Sequence, residues 1–579
     1  MSAACMRHGS AVQAGEGRPR LADGEAAEVA ARAADALPGP NPIVGLGARD
    51  VIAGWGTLVT QAVRRPFTLI EHEAALAREL ATAMAGRSEL APAAGDKRFA
   101  DPAWSSNRSY RALMQCHLAW SGALSGLVER LPLEKHRKER ARFVAGLVGD
   151  ALAPTNTLLG NPAALKKALD TGGTSLVRGA RHLLRDLRHN GGMPAQVDMG
   201  AFEVGKNLAL TPGAVVLRTE VLELIQYAPK TGTVHARPHL LVPPQINKFY
   251  VFDLAPGKSL IEFLVDSGFQ VFAISWRNPG PSQRDWGMDT YVSAVLEAIA
   301  AVRAITGAKD VNLHGACSGA MTMSALMGYL AATGQPLVHA ASLMVAVLDG
   351  RADSQLGTFV TPRTVAAAKR RSAAKGVLEG REMGRVFAWM RPNDLVWNYW
   401  VNNVLMGNPS PAFDVLYWNN DSTQLPARFH AELLDVFAEN RLVEPGALQV
   451  LGTPIDLSAV DCDTYLVAGI TDHITPWKGV FETARAFGGQ STFVLSSSGH
   501  IQSLVNPPGN PKAKFLLNAQ GAASADEWLA GADAHQGSWW THWRDWLAAR
   551  SGERIAAPRR LGGRRHPVLD DAPGRYVRA

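Results

Sequence analysis

Cysteine is scarce in this chain: Cys5, Cys116, Cys317 and Cys462 are the four among 579 residues, and none forms a Cys-x-x-Cys pair. Thiols so scattered exclude a disulfide framework and a zinc ribbon, and they suit a reducing compartment. No run approaches the ~18 unbroken apolar residues of a membrane helix, although 47% of the residues are hydrophobic. The stretch Met1 to Pro40 has Arg7, Arg18 and Arg20 among Ala and Gly, but no apolar core of a secretory signal. A cytoplasmic protein without a transmembrane segment is expected. A block of one charge is also missing. The net charge of +7 is dispersed except at Arg559-Arg560 and Arg564-Arg565, so neither a concentrated basic face nor a nucleic-acid-binding module is present. Neither a metal nor a cofactor is expected.

What is there exceeds a single core. At 62.0 kDa the chain calls for a main domain and an additional one. Residues 1–40, poor in large apolar side chains, are expected to be a disordered leader. Apolar residues at helical spacing then mark Trp55 to Val63, Leu69 to Met84, Tyr110 to Leu131 and Glu139 to Leu152, so residues 41–200 read as a helical N-terminal domain. Residues 201–579 read as the catalytic domain. Strands at Val221 to Tyr227, His239 to Val242, Gln270 to Ile274 and Val311 to His314 alternate with helices, of which Tyr291 to Thr306 is the clearest. Strict alternation predicts a parallel sheet covered on both faces. The pattern fails over about 351–447, an aromatic-rich insertion that reads as a cap. It resumes at Thr464 to Ala468 and at Thr492 to Leu495, expected as the last strand, followed by a closing helix and an exposed basic tail over about 551–579.

The chemistry is expected at His314-Gly315-Ala316-Cys317-Ser318-Gly319, where Gly-x-Cys-x-Gly joins a strand to a helix. Glycines on both sides permit a turn sharp enough to thrust the middle residue into a cleft. The motif alone is weak, because a lone buried cysteine is more often an inert core thiol. Its partners change that. Asp472 follows one strand and His500 the next, 28 residues later, which is the order of nucleophile, acid and histidine in α/β-hydrolase sheets. Cys317 needs a base to become thiolate at neutral pH; His500 stands in the right loop, and Asp472 is placed to fix its tautomer. His473 is a rival base that strand alternation directs elsewhere. For the oxyanion, the backbone N–H of Ser318 is one donor. The loop Val242-Pro243-Pro244-Gln245-Ile246-Asn247 offers a second at Ile246 or Asn247, since proline cannot donate. The expected fold class is thus an α/β-hydrolase with a cap insertion, preceded by a mostly helical domain. A cysteine keeps a transferred acyl group as a reactive thioester. Water as the next acceptor makes a thioesterase or polyester hydrolase; the hydroxyl of another acyl chain makes a polymerase.

Longer motifs bear on that choice. Gly-Ala-Cys-Ser-Gly, Pro-Pro-Gln-Ile-Asn-Lys-Phe-Tyr (243–250), Ser-Trp-Arg-Asn-Pro (275–279), Arg-Pro-Asn-Asp-Leu-Val-Trp-Asn-Tyr-Trp (391–400), Thr-Asp-His-Ile-Thr-Pro-Trp (471–477) and Ser-Gly-His-Ile-Gln-Ser (498–503) resemble the polyhydroxyalkanoate synthases, in detail the class II enzymes of medium-chain substrates. The resemblance runs from about residue 40 to the C-terminus. It implies polymerisation of (R)-3-hydroxyacyl-CoA with release of coenzyme A, acyl-CoA being substrate and not cofactor. It also implies a homodimer on the surface of cytoplasmic polyester granules. The family's nucleophile, acid and histidine fall on Cys317, Asp472 and His500, and Ala320 stands where the family commonly has a second glycine. Gln502 and Ala346 are candidates for shaping the acyl pocket, with ordinary packing as the alternative. A non-catalytic granule coat on a dead hydrolase fold is the reading that an intact triad opposes.

Overall fold

The structure, a computed structural model, describes residues 55–579 apart from 57, 58, 62, 352–360, 383, 385–387, 389–391 and 473, and apart from the side chains of 68 and 136. The leader expected at 1–40, His473 and Trp389 lie outside the described residues.

Apolar runs after Gly213 build one eleven-stranded sheet. Its strands are β1 (Gly213–Arg218), β2 (Leu222–Tyr227), β3 (His239–Val242), β4 (Val271–Trp276), β5 (Val311–Ala316), β6 (Val338–Met344), β7 (Asp463–Gly469), β8 (Ser491–Ser496), β9 (Lys514–Leu517), β10 (Asp533–Gln536) and β11 (Asp570–Asp571). The order across the sheet is β10-β9-β8-β7-β6-β5-β3-β4-β2-β1-β11. From β8 to β4 all neighbours are parallel. Every residue of β4 and β5 is buried, as a sheet with helices on both faces requires. This is the α/β-hydrolase fold.

The strictly parallel sheet expected from alternation needs correction. β1 and β2 add antiparallel strands at one side, and β9 and β10 at the other. Thr492 to Leu495 is therefore not the last strand. β10 reads Asp-Ala-His-Gln and is exposed along its length, so no apolar alternation announces it. The C-terminal segment is not a free tail either. Arg554–Ala556 pairs with Thr233–His235, β11 pairs with β1, and Val577 is buried, while Arg559, Arg560, Arg564 and Arg565 stay exposed.

The N-terminal part is helical: α1 (Pro66–Met84), α2 (Arg108–Arg130), α3 (Lys135–Ala151), α4 (Pro162–Asp170) and α5 (Thr174–His189). The Asn107 side chain caps α2 by accepting from the N–H of Ser109 and Tyr110, satisfying donors that have no partner within the helix. Its cores are small, one around Val128, Leu131, Ala141 and Ala145 and another around Phe99, Trp104 and Met114. Phe67, Leu159 and Leu169 remain 82%, 76% and 73% exposed.

The cap contains helices Pro362–Lys375, Asp414–Asn420 and Ala427–Glu439 and two π-helical turns, Asn393–Trp397 and Trp400–Leu405. Its described aromatics mainly hold it in place. Tyr399 and Trp418 are buried, the Trp400 indole donates to the Asn156 carbonyl (3.0 Å), and the Trp418 indole donates to that of Lys248 (2.7 Å). α5 lies against the second π-helical turn at backbone distance. A Cβ on Gly179 would stand 1.9 Å from the Val404 carbonyl oxygen, and one on Gly407 2.1 Å from that of Ser175. His182 Nδ1 lies 3.0 Å from the Asn403 carbonyl oxygen, and Arg178 Nε donates to Gly407 (3.2 Å).

Under the sheet, His239 of β3 and His314 of β5 pack edge to face with each other and with Trp543. No ring nitrogen of either histidine has a hydrogen-bond partner among the described residues. Burial lowers the pKa of His239 to about 3 and, with the neighbouring His239, that of His314 well below its ordinary value. The folded state thus binds fewer protons than the unfolded chain. The stability this pair contributes is complete above about pH 6.5 and is lost as the pH falls toward the folded values. Melting temperature should fall from pH 7 to pH 5, and less steeply in His239→Leu; equal slopes would remove this pair as a cause.

Candidate active site

The strand-to-helix turn after β5 leads into α6 (Ser318–Ala332). Cys317 sits on it at φ 52°, ψ −121°, a strained conformation for a residue with a side chain. Both glycines are required by close approach. A Cβ at Gly315 would meet Ala320 Cα at 2.8 Å, and one at Gly319 would meet the carbonyl oxygens of Val242 and Pro243 at 2.3 and 2.6 Å.

The loops after β7 and β8 bring Asp472 and His500 to this turn. His500 Nε2 lies 3.7 Å from Cys317 Sγ, and His500 Nδ1 lies 2.6 Å from Asp472 Oδ2. All three side chains are buried. Burial works to raise the pKa of Asp472, but His500 and the hydrogen bonds from His500 and Thr475 outweigh it and hold the carboxyl below its usual range. An ionised carboxylate only accepts, so the proton is on Nδ1 and the Nε2 lone pair faces the thiol. Burial pushes the Cys317 thiol well up, and the negative Asp472 adds to this, against a hydrogen bond from the Ser318 N–H. The resting cysteine is therefore a neutral thiol. Thiolate forms when its proton passes to His500, whose positive charge Asp472 then stabilises.

Asp472 is oriented by more than the histidine. The N–H groups of Ile474 and Thr475 donate to Oδ1, each at 2.9 Å, and the Thr475 hydroxyl donates to Oδ2 at 2.6 Å. Thr475 Oγ1 is also 3.1 Å from His500 Nδ1. Sequence reasoning missed this threonine, although Asp-x-x-Thr at the end of a strand was a signal for a side chain folding back on the acid.

The loop after β3 is tied to the turn. The Gln245 N–H donates to Ser318 Oγ (3.1 Å), the Gln245 amide donates to Thr322 Oγ1 (2.9 Å), and the Gln245 carbonyl accepts from the Thr423 hydroxyl (2.6 Å). The Ile246 carbonyl accepts from Thr423 N–H, so the cap is attached to this loop. Of the expected oxyanion donors, the Ser318 N–H is at the thiol, while Ile246 and Asn247 follow the anchored Gln245 and line a cleft of about 570 Å³. Ala346 is buried in the hydrophobic core beyond β6. Gln502 is half-buried in the short helix His500–Leu504 and accepts from the Asn506 amide through its carbonyl (3.3 Å). Neither lines that cleft. Among the described residues, no group of three or more His, Cys, Asp and Glu could hold a metal, and no helix is long and apolar enough to cross a membrane.

Residues 95–264 match the family model for the N-terminus of poly-beta-hydroxybutyrate polymerase (PhaC), and residues 238–507 match that of the alpha/beta hydrolase fold. The chain is 52% identical over 550 residues to poly(3-hydroxyalkanoate) polymerase 1 of Ectopseudomonas oleovorans, covering 95% of this chain and 98% of that one. It is 50% identical over 538 residues to polymerase 2 of the same organism, covering 93% and 96%. Among solved structures, a soluble variant of monoglyceride lipase from Saccharomyces cerevisiae is similar at 12% identity and a TM-score of 0.32, over 52% of this chain and 90% of the lipase.

Proposed function

Because this chain belongs to the poly(3-hydroxyalkanoate) polymerases, acyltransferases of polyhydroxyalkanoate biosynthesis, we propose that it polymerises medium-chain (R)-3-hydroxyacyl-CoA through an acyl group carried on Cys317. Cys317 Sγ attacks the thioester carbonyl as its proton passes to His500 Nε2. The tetrahedral oxyanion is held by the N–H of Ser318 and by that of Ile246 or Asn247. Its collapse breaks the bond to the CoA sulfur, which takes the proton from His500 and leaves as CoA–SH. His500 then accepts the proton of a 3-hydroxyl, whose oxygen attacks the Cys317 thioester; an ester forms and the thiol is restored.

The observation that carries this reading is a buried cysteine at the elbow, 3.7 Å from a histidine that is itself 2.6 Å from a buried carboxylate. A thioester intermediate keeps the acyl group reactive toward an alcohol, and the covered site limits water. The acyl pocket is proposed to be shaped by Ala346 and Gln502. The working form is proposed to be a homodimer on the surface of cytoplasmic polyester granules, with no cofactor beyond its substrates.

Purified protein given (R)-3-hydroxydecanoyl-CoA should release thiol in step with insoluble polyester. Free 3-hydroxydecanoic acid without polyester would replace the polymerase by a thioesterase, and no thiol release would leave a granule coat.

A further inference from the structure

The cleft of about 570 Å³ beside the proposed oxyanion loop is walled by the last turns of α5 and the segment 193–200 that follows it, by the cap around Arg381, Pro409 and Asn420, and by Ile246 and Asn247 after β3. Its position is set by Gln245, whose N–H donates to Ser318 Oγ. One wall therefore lies at the shoulder of the nucleophile turn, and the other lies out on the N-terminal helix.

The outer wall is cationic. Along α5, Arg178, Arg181, His182, Arg185, Arg188 and His189 recur at three- and four-residue intervals, which gathers them toward one side of a helix. His182, Arg185 and His189 line the cleft, and Arg381 faces them from the cap. Both arginines are exposed to solvent. The only carboxylate in ion-pair range of Arg185 is Asp186, at 4.0 Å, and no carboxylate pairs with Arg381 among the described residues. Both acids of the cleft are turned to backbone. Asp186, nearly buried, accepts from the Ala195 N–H (3.2 Å), and Asp198 accepts from that of Gly200 (3.0 Å).

We propose that this cleft binds the phosphorylated nucleotide end of the CoA thioester, with Arg185 and Arg381 on its phosphates and the pantetheine arm running past Asn247 to Cys317. The proposal rests on the reading of the substrate as an acyl-CoA. Guanidinium groups match phosphate oxygens in bidentate geometry. The polyester product is uncharged and gains nothing from such a wall. The pantetheine arm is about as long as four extended residues, roughly 14 Å, so the nucleotide end is bound well away from the reacting sulfur. The substrate would thus be gripped jointly by the N-terminal region and the cap.

The test compares two esters of the same acyl group on the full chain, one of CoA and one of N-acetylcysteamine, which has no phosphate. Wild type should prefer the CoA ester through a lower KM. Arg185→Ala with Arg381→Ala should narrow that preference about tenfold, and the Lys pair should keep most of it; an unchanged preference overturns the proposal. Calorimetry of CoA on Cys317→Ala gives an independent readout. The added Ala pair should weaken Kd about tenfold, and 3′-phospho-ADP should compete; equal affinity, or no competition, overturns the proposal. Failure of wild type to release thiol from either ester would sink the polymerase reading, while CoA binding would still decide this site.

Discussion

Cys317→Ala should lower thiol release on the order of 10⁴-fold or more while the melting temperature stays close to that of wild type. The magnitude follows from nucleophile deletions in triad enzymes, where the remaining groups cannot replace the lost attack. The folding expectation comes from the turn itself. Alanine keeps the Cβ that already occupies φ 52° at this position and deletes only Sγ, which is buried and makes its described contacts with His500 and the Ser318 N–H. A loss of fold would therefore not explain a loss of rate. Measured with (R)-3-hydroxydecanoyl-CoA, retention of even a tenth of the wild-type rate would mean that another group attacks the thioester.

Asp472→Asn is the second large effect, about 10⁴-fold in rate by the precedent of triad acids made neutral. The carboxylate receives four hydrogen bonds: two from backbone N–H groups on Oδ1, and one each from the Thr475 hydroxyl and His500 Nδ1 on Oδ2. An asparagine that keeps its oxygen on the two backbone donors turns its NH₂ toward His500. Nδ1 must then accept, the proton moves to Nε2, and the ring presents N–H to the cysteine in place of a lone pair. The base is lost although all the side chains remain. The falsifying result is a loss below about tenfold with folding intact, which would assign the orientation of His500 to Thr475 alone. The comparison with Thr475→Val separates the two, since that change leaves the charge of Asp472 beside the ring and should cost far less.

How much of this could be read from the sequence differs by element. The turn at Cys317 was legible because its glycines have a steric cause, now visible as contacts of 2.3–2.8 Å, and because each partner ends a strong apolar strand. The α/β-hydrolase fold followed from the same strands. Of the antiparallel margins, β2 was legible as a strand though not in its direction, whereas β10 and β11 were hidden, because they are short and polar and take their conformation from the neighbour they pair with. The docked C-terminal segment was read as a tail for the same reason: its arginines are exposed, and what anchors it is backbone pairing. Thr475 left a local trace in Asp-x-x-Thr that sequence reasoning passed over, whereas the Gln245 network depends on contacts between distant segments, for which local pattern carries no signal. The approach of α5 to the cap turns on Gly179 and Gly407, which looked like any others among the 55 glycines of the chain.

That approach has a mechanical consequence. At Gly179 and Gly407 the backbones of α5 and of the segment around the second π-helical turn meet with no side chain between them, and the side chains of Arg178 and His182 tie the same contact together. A swing of the cap must either carry α5 with it as one lever or open the contact cleanly, breaking the bonds of Arg178 and His182 to the carbonyls of Gly407 and Asn403.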